Sequence, residues 1–597
     1  MKAYAFISER EECSTYDMHR LVQLATLNWL TKKGDLSEWS TRALQRLAEV
    51  FPFPEQANRD IWMRYLPHAR CVLEFEGIID GQVTVSDLLE IVGFSLRYLG
   101  QYREAEAMYR RALEIREKVQ GPEDSGTLHS VHNLGLALFD LGKYDEAEVM
   151  HRRVLNIEEK VLGPDHPDTL NSLNDLANVL SRLGRYNEAK ALYRRALEIR
   201  EKTLGPEHPR TLNSLNNLGI ALLELGEYAE AEAMLRRALD IREKVLGPEH
   251  LSTVDSISNV GAVRSHLGKH DEAETMYRRA LEIEEKVLGS EHPRTINSVN
   301  SLGLVLHRLC RYDEAEAMYR RALEIRERVL GPEHPETLNS VNNLGSVYSH
   351  LGKHDVAEEM HRRALGIKER VLGPEHPHTL NSVSNLATTF SHRGKYDEAE
   401  AMYRRVLKIR ERVLGLEHPG TLSTVSNLAA VLFNSGKYDE AETMRRRALR
   451  ISEKVLGPEH PDTLHNVNDL GLTLSRLGKH GEAETMHRRA LKMREKVLGF
   501  EHRDTIQSAN NLGVSLCDLG RYDEAEVVHR RALEIEQKVL GPDHADTINS
   551  VKNLAFVLSR LGKYDEAEAM HRRAQRSGRK CWGLKIHIPS TESTTLQ

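Results

Sequence analysis

The sequence lacks the features that mark several large functional classes. Its 597 residues include five cysteines, which lie far apart and form no C-x-x-C pair. This usage favours reduced intracellular thiols over a disulfide framework. No uncharged apolar run approaches the ~20 residues that a membrane-spanning helix needs, and the opening MKAYAFISEREE has no apolar segment of the secretory type. We therefore expect a cytoplasmic protein with no membrane partner.

Two further absences argue against nucleic-acid binding and against phosphate chemistry. The formal net charge is −6, whereas an extended nucleic-acid surface shows a clear basic excess. The phosphate-cradling pattern G-x-x-x-x-G-K-[ST] does not occur, since each Gly-Lys pair is followed by Tyr or His, as at Lys143-Tyr144. No nucleophile set of the Ser/His/Asp or Cys/His kind stands out. We therefore predict that the protein is not an enzyme and uses no cofactor.

What the sequence has in abundance is internal repetition. The stretch GPEHPETLNSVNNLGSVYSHLGKHDVAEEMHRRAL from Gly331 has a near copy from Gly373. A marker glycine recurs every 42 residues and Cys310 takes the one missing place, which gives twelve units in register without an insertion. Such repetition predicts a solenoid, in which no module buries its apolar face alone and stacking completes the core. The marker glycines are Gly100, Gly142, Gly184, Gly226, Gly268, Gly352, Gly394, Gly436, Gly478, Gly520 and Gly562.

Each unit is predicted to form two helices, A and B. In the fourth unit, leucines at helical spacing predict helix A over 211–225, and Gly226 supplies the positive φ that ends it. Helix B is predicted over 228–246, where a Gly-Pro pair stops it. The position of Ala231 is alanine in all twelve units and that of Ala238 in ten, which predicts close helix contacts. The predicted fold class is all-α.

The large and small positions of the unit resemble the signature of the tetratricopeptide repeat (TPR), over about residues 85–574. The 42-residue period, with its LGPEHP connection and REKVLG helix end, is similar to the long TPR variant of kinesin light chains. That variant also occurs in fungal-type STAND proteins with an NB-ARC ATPase. The resemblance implies a right-handed TPR superhelix of about twelve helix pairs that binds protein ligands. The matching residues of the fourth unit are Leu215, Leu218, Gly219, Leu222, Gly226, Tyr228, Ala231, Leu235 and Ala238.

The two ends of the chain depart from the repeat. Residues 1–80 resemble the winged-helix segment and connector of NB-ARC–TPR proteins, and the M-H-R at residues 18–20 resembles that family's M-H-D motif. In that family the histidine senses the nucleotide phosphate. Because a phosphate-binding loop is missing, we expect His19 to be an ordinary helix-start residue. The predicted organisation is a winged-helix-like helical module in 1–80, the TPR array in 81–576 and a disordered tail in 577–597.

Two recurrent charged patterns have structural explanations. Ten linkers carry one histidine each, but equivalent residues of neighbouring units should lie on the order of 10 Å apart, too far to share a metal with bonds of ~2 Å. We therefore predict no metal site and expect the His-Pro pair to shape the turn into helix A. All twelve units carry Arg-Arg on helix B, and Glu232 and Asp240 lie four residues to either side of Arg236, which predicts ion pairs on a solvated face. The linker histidines are His166, His208, His250, His292, His334, His376, His418, His460, His502 and His544.

The candidate binding residues lie on helix A, because A helices line the concave groove in the family that the sequence resembles. Carrying over the groove positions gives a row that is asparagine in eight of eleven units. Asparagine is a middling helix former whose amide both donates to and accepts from a peptide backbone. The alternative explanation is interhelical hydrogen bonding within the stack. The asparagines of this row are Asn133, Asn217, Asn259, Asn343, Asn385, Asn427, Asn511 and Asn553, and a second row nearer the helix start is Asn171, Asn213, Asn297, Asn339, Asn381 and Asn549.

A third row on helix A is basic in the middle units. Acids stand in this row at Asp140, Glu224 and Asp518, but none lies between His266 and Arg476. We hypothesise a mildly basic groove that favours acidic protein segments, with an affinity that rises below about pH 6.5 as the histidines gain charge. The basic residues proposed for the groove are Arg182, His266, Arg308, His350, His392 and Arg476.

The leading interpretation is a non-catalytic protein–protein interaction scaffold that acts as the sensor arm of an NB-ARC–TPR signalling receptor lacking its ATPase. The alternative is a kinesin light chain-like cargo adaptor. That class recruits its motor through an N-terminal coiled coil, and residues 1–80 show no sustained heptads. A nucleotide switch is disfavoured by the missing phosphate-binding loop. The partner and the oligomeric state stay open at this point.

Overall fold

The computed structural model describes residues 7–9, 16–18, 29–55, 58–73 and 83–582. The N-terminal part contains a two-stranded antiparallel ribbon, β1 (Ile7–Glu9) and β2 (Tyr16–Met18), followed by helices α1 (Leu36–Val50) and α2 (Arg59–Leu73). His19 and Arg20 of the M-H-R motif lie outside the described residues. The winged-helix interpretation of residues 1–80 therefore stays a prediction.

Helix α2 contacts both the segment that precedes it and the first helix pair of the array. The buried indole of Trp62 donates a hydrogen bond to the carbonyl of Glu55 at 3.0 Å. The same ring meets Tyr98, on the first repeat helix, edge to face with centroids 5.6 Å apart. Arg111 then donates to the carbonyl of Leu73 at 2.6 Å. These contacts join the N-terminal helices to the first helix pair of the array.

The rest of the described chain consists of twelve A–B helix pairs, called repeats 1 to 12. The predicted all-α repeat architecture is confirmed. The last helix ends at Trp582, six residues beyond the predicted end of the array, and residues 583–597 of the predicted tail lie outside the described residues. In chain order the pairs are α3 (Val83–Tyr98) and α4 (Tyr102–Val119), α5 (Ser125–Asp140) and α6 (Tyr144–Val161), α7 (Pro167–Arg182) and α8 (Tyr186–Thr203), α9 (Pro209–Glu224) and α10 (Tyr228–Val245), α11 (Leu251–His266) and α12 (His270–Leu288), α13 (Pro293–Arg308) and α14 (Tyr312–Val329), α15 (Pro335–His350) and α16 (His354–Val371), α17 (Pro377–His392) and α18 (Tyr396–Val413), α19 (Pro419–Asn434) and α20 (Tyr438–Val455), α21 (Pro461–Arg476) and α22 (His480–Val497), α23 (Arg503–Asp518) and α24 (Tyr522–Val539), and α25 (Ala545–Arg560) and α26 (Tyr564–Trp582).

The linker histidines cap the A helices. In repeat 4, Nδ1 of His208 accepts a hydrogen bond from the Arg210 amide at 3.2 Å, and Pro209 follows in the first helical turn. Helix A therefore begins two residues earlier than the predicted Thr211, because the cap satisfies an amide that the helix itself leaves unpaired. The predicted structural role of the His-Pro pair is confirmed, with N-capping as its mechanism.

Small residues permit the close approach of A and B helices, as predicted. Ala231 and Ala238 are fully buried in repeat 4. Gly219 faces Leu235 so closely that a Cβ there would lie 2.5 Å from the leucine Cγ. The marker glycines have positive φ, as at Gly226 with 71°, and Cys310 adopts the same left-handed conformation with φ of 59°. The turn geometry is thus kept even where the glycine is missing.

The chain divides into two compact regions, each described by itself. Region 1 comprises residues 1–182, 330–337 and 367–377, and region 2 comprises residues 183–329, 338–366 and 378–597. Within region 1, Nε2 of His376 meets the carbonyl of Asp140 at 3.1 Å, 236 residues earlier. Within region 2, His460 makes the same contact with the carbonyl of Glu224 at 3.2 Å, again across 236 residues. Linker histidines therefore also bind the ends of distant A helices.

None of the helices in the described segments combines the length and the apolar composition that a membrane span requires.

Candidate peptide-binding face

The structure places the first asparagine row on the A helices with its amides at least partly exposed. Asn343 and Asn427 are exposed, and the other six are half-buried. Nδ2 of Asn511 donates to Oδ1 of Asn468 at 3.0 Å. The remaining seven side chains make no hydrogen bond to any described residue. Interhelical bonding among the described residues therefore accounts for Asn511 but not for the other seven asparagines of this row.

The second asparagine row has a structural role in three repeats. Oδ1 of Asn213 accepts from Nη2 of Arg242 at 2.6 Å, and the same guanidinium donates to Oγ of Ser256 at 2.8 Å. One arginine thus ties its own repeat to the next one. The same triplet recurs at Asn297, Arg326 and Ser340, and at Asn381, Arg410 and Thr424. For Asn213, Asn297 and Asn381, hydrogen bonding within the stack therefore explains the asparagine.

The basic row forms contacts from repeat to repeat in its middle part. Nη1 of Arg308 donates to Ser265 at 2.9 Å. The ring of His350 lies 5.7 Å from that of His392, edge to face. Nδ1 of His392 is 2.9 Å from the hydroxyl of Ser349. Within region 2, each of these contacts therefore joins one A helix to the A helix of the preceding repeat.

The electrostatic environment of this row modifies the expected pH response. Burial, assisted by the neighbouring His350 and His354, lowers the pKa of His392. Burial lowers the pKa of His307 as well, and its Nε2 lies 3.2 Å from Nδ1 of His350. Because burial and the neighbouring imidazoles both disfavour the charged form, His307 and His392 gain charge at a lower pH than isolated histidines, unless an anionic ligand compensates.

The other residues predicted for the basic row lie at the surface. The guanidinium of Arg182 is 5.8 Å from the ring centre of Phe139. His266 is exposed and its Nδ1 lies 2.9 Å from the carbonyl of Ala262. Arg476 is exposed and has no hydrogen bond or ion pair among the described residues. Of the acids in the row, Asp140 is neutralised by an ion pair with Arg97.

Repeats 9 and 10 contain a largely buried ion pair that sequence reasoning missed. Arg445 replaces the tyrosine found at Tyr403 and is 6% exposed, and its Nη1 lies 2.7 Å from Oδ2 of Asp469. Asp469 takes the place of an asparagine in the first row. Both side chains line a cavity of about 300 Å³ together with Asn427 and His465. Aligning the repeats and asking where Tyr and Asn change together would have exposed this pair.

The Arg-Arg pairs of the B helices are neutralised as predicted, with one difference. Arg236 pairs with Glu232 at 2.7 Å, four residues away. Arg237 reaches instead to Glu201 on the preceding B helix at 2.9 Å. The second arginine thus links neighbouring repeats across the solvated face. These exposed pairs contribute little stability individually.

Stacked antiparallel helix pairs with a small-residue seam and a 42-residue period define an α-helical repeat solenoid. The family profile described as tetratricopeptide repeat matches nine stretches, of which the first seven overlap in succession, and together they cover most of the chain. The chain therefore belongs to the tetratricopeptide repeat family, whose members are non-catalytic scaffolds for protein–protein interaction. The matched residues are 84–157, 127–202, 173–244, 222–286, 250–327, 295–370, 342–412, 420–496 and 504–580.

Individual proteins resemble parts of the chain. A nucleotide-binding leucine-rich repeat (NLR)-like protein of Hyaloscypha variabilis is 43% identical over 133 residues, which are 22% of this chain and 13% of that protein. The match therefore spans a small part of the relative's length. Among solved structures, a Podosopora anserina protein described as a kinesin light chain with nearly identical TPR-like repeats is 25% identical, with 35% of this chain and 99% of that chain covered and a TM-score of 0.33. BtubC (BKLC) of P. vanneervenii is 24% identical, with 41% and 96% covered and a TM-score of 0.34.

Proposed function

We propose that the chain binds an extended protein segment along the first asparagine row, with the basic row selecting for acidic segments. The observation that carries this proposal is the row itself: seven amides at equivalent places on A helices, partly exposed and without hydrogen-bond partners in the described chain. Each amide has a donor and an acceptor and so matches the N–H and C=O groups of an extended backbone. A solvent-facing helix position without a ligand would gain helix stability from Ala, Glu or Lys.

The charge preference follows from the basic row. Within region 2, His350 contacts His392 and Arg308 binds Ser265 of the preceding repeat, and no carboxylate of the same row interrupts the sequence from His266 to Arg476. Complementary charge fixes the register of a bound segment and raises its association rate. We therefore expect acidic segments to be retained in preference to basic ones.

The chemistry of the ligand is tested with peptide pools of defined charge. Immobilised full-length chain is exposed to acidic and basic pools of equal length, at several salt concentrations and from pH 8 to pH 5. We expect capture of the acidic pool, weakening as salt screens the charges and strengthening toward pH 5 as the histidines are protonated. Equal capture of both pools would contradict the charge preference, and capture of neither would contradict peptide binding.

We also propose that the array is the ligand-sensing arm of a cytoplasmic NB-ARC–TPR type signalling receptor. The NLR-like relative from Hyaloscypha variabilis supports this at 43% identity over 133 residues, and the sequence given has no phosphate-binding loop of its own. A nucleotide-binding assay on the purified chain should therefore show no ATP binding. Sequencing the genomic DNA upstream tests the architecture directly: an in-frame phosphate-binding loop is expected, and an unrelated open reading frame would contradict the proposal.

A further inference from the structure

We propose that His132, His151 and Asp175 form a binding site for a divalent transition-metal ion, of which Zn²⁺ is the best fit. The three residues lie in region 1 on α5, α6 and α7, so the site joins both helices of repeat 2 to repeat 3. One ligand atom from each lies within 4.8 Å of the other two. Nδ1 of His132 is 3.6 Å from Oδ2 of Asp175, and the two imidazole rings meet edge to face with centroids 5.6 Å apart.

Comparison with other repeats of the same chain shows that repeat 2 is unusual. In repeat 7, Nδ1 of the buried His361 faces Oδ1 of Asn342 at 3.1 Å, and in repeat 11 His529 faces Asn510 at 3.3 Å. His151 holds the same B-helix position, but the amide opposite is replaced by His132. Nδ1 of His151 is buried without a hydrogen-bond partner. The nitrogen that an amide satisfies in repeats 7 and 11 is thus directed at a second imidazole in repeat 2.

The cluster of His132, His151 and Asp175 is unfavourable without a metal ion and has suitable ligand atoms for one. A buried imidazole nitrogen without a hydrogen-bond partner is unfavourable, and a coordinated metal ion would satisfy Nδ1 of His151. Arg97, the nearby cation, forms an ion pair with Asp140. Two imidazoles and a carboxylate match the ligand set that Zn²⁺ accepts.

The geometry requires only a small closure. Zn–N bonds of ~2.0–2.1 Å in a tetrahedral site place the ligand atoms ~3.3–3.4 Å apart. The 3.6 Å between His132 and Asp175 is near this value, and since all three ligand atoms lie within 4.8 Å of one another, no pair must approach by more than about 1.5 Å. His132 and Asp175 are both partly exposed, so a metal ion has a route into the site and a water molecule or partner side chain can take the fourth position.

The test is zinc binding by the metal-free full-length chain, measured by isothermal titration, with the Co²⁺ ligand-field spectrum reporting coordination geometry. We expect one tight equivalent of Zn²⁺ and a rise in Tm on binding. His132→Asn and His151→Tyr each introduce the residue that sibling repeats carry at that place, as in Asn216 and Tyr193, so both variants should fold. Each should remove the tight equivalent, with at least a 100-fold loss of affinity, and abolish the tetrahedral Co²⁺ spectrum.

The matched control is His361→Tyr, which makes the same change in repeat 7, where the partner is an amide. This variant should bind Zn²⁺ as the unchanged chain does. Zinc binding that is equal in the unchanged chain, His132→Asn and His151→Tyr would assign it to surface histidines and overturn the proposal, as would the absence of any tight equivalent.

Discussion

At the scale of the residue, the informative positions are those where one repeat departs from the others. The shared residues explain packing: Ala231 is buried in the seam, and equivalent alanines occupy all twelve repeats. The departures either introduce strain, as at Cys310, or place polar groups in the seam, as at His151 and Arg445. Because the repeats are internal controls for one another, the consensus residue is the natural substitution for testing each departure.

Replacement of Cys310 by glycine should stabilise the protein. Among the described residues, Cys310 is the non-glycine residue that has a positive φ, at 59°. A residue with a Cβ destabilises the fold by roughly 1–2 kcal/mol in this left-handed conformation. Glycine relieves this strain but loses more backbone entropy on folding. We therefore expect Cys310→Gly to raise the free energy of unfolding by about 0.5–1 kcal/mol in urea titration. The reverse change Gly352→Cys should lower it, and stabilisation by both substitutions would contradict the argument.

The buried seam histidines should make stability dependent on pH. Burial lowers the pKa of His487 and His529 to about 4, whereas an unfolded imidazole titrates near 6.5. Because the folded pKa is the lower one, these side chains contribute stability that is present above pH ~6.5 and lost as the pH falls toward 4, by up to about 3 kcal/mol per group.

Thermal unfolding between pH 7 and pH 4 measures this effect. We expect Tm to fall with pH, and to fall less in His529→Tyr, which carries the residue found at Tyr403. His571 occupies the equivalent place in repeat 12 but is exposed, so His571→Tyr should leave the pH dependence unchanged. An identical pH dependence in the two variants would show that burial of His529 is not the cause.

At the scale of the element, each A helix is defined by its ends. Sequence pattern predicted the helix pairs, the glycine turn and the His-Pro junction, because these depend on contacts within one repeat. It placed the start of helix A in repeat 4 at Thr211 rather than Pro209, because histidine is not among the usual N-capping residues. Here the Nδ1 lone pair takes the place of an Asp or Asn oxygen, and repeat 2 has the ordinary solution: Asp124 accepts from the Gly126 amide at 2.8 Å.

Capping is tested at His208 with two substitutions. His208→Ala should destabilise helix α9 by about 1 kcal/mol because the first-turn amide loses its acceptor. His208→Asp should retain the stability, since Asp124 performs the same role in repeat 2. Hydrogen exchange of the amides at the start of α9 measures the effect locally. Equal destabilisation by the two substitutions would contradict capping as the role of this histidine.

At the scale of the whole molecule, contacts across 236 residues add a layer that no single repeat contains. His460 uses one neutral tautomer for two purposes: Nδ1 accepts from the Asp462 amide at 3.1 Å, and Nε2 donates to the carbonyl of Glu224 at 3.2 Å. Sequence pattern could not predict this second bond, because the partner depends on rotations accumulated over more than five repeats. For the same reason it predicted the candidate groove rows but not the Arg445–Asp469 pair, which requires knowing which side chains of adjacent repeats meet.

The long-range bond is tested by comparing one substitution at two places. His460→Asp should keep the cap but lose the donor to Glu224, and therefore cost about 0.5–1.5 kcal/mol. His208→Asp has no such bond to lose, since His208 makes none among the described residues. Urea unfolding of both variants gives the difference. If His460→Asp and His208→Asp lowered the free energy of unfolding equally, the contact across 236 residues would contribute nothing to stability.

The most direct test of the central claim is peptide affinity after removal of the row's amides. Peptides retained from the acidic pool are labelled, and their affinity is measured by fluorescence anisotropy for the unchanged chain, for Asn343→Ala/Asn385→Ala, and for Glu359→Ala/Lys408→Ala as a control on exposed B-helix positions of the same repeats. We predict at least a tenfold loss of affinity for the asparagine variant, about 0.5–1.5 kcal/mol per lost hydrogen bond, and none for the control. Unchanged affinity in the asparagine variant would contradict the assignment of this row as the recognition surface.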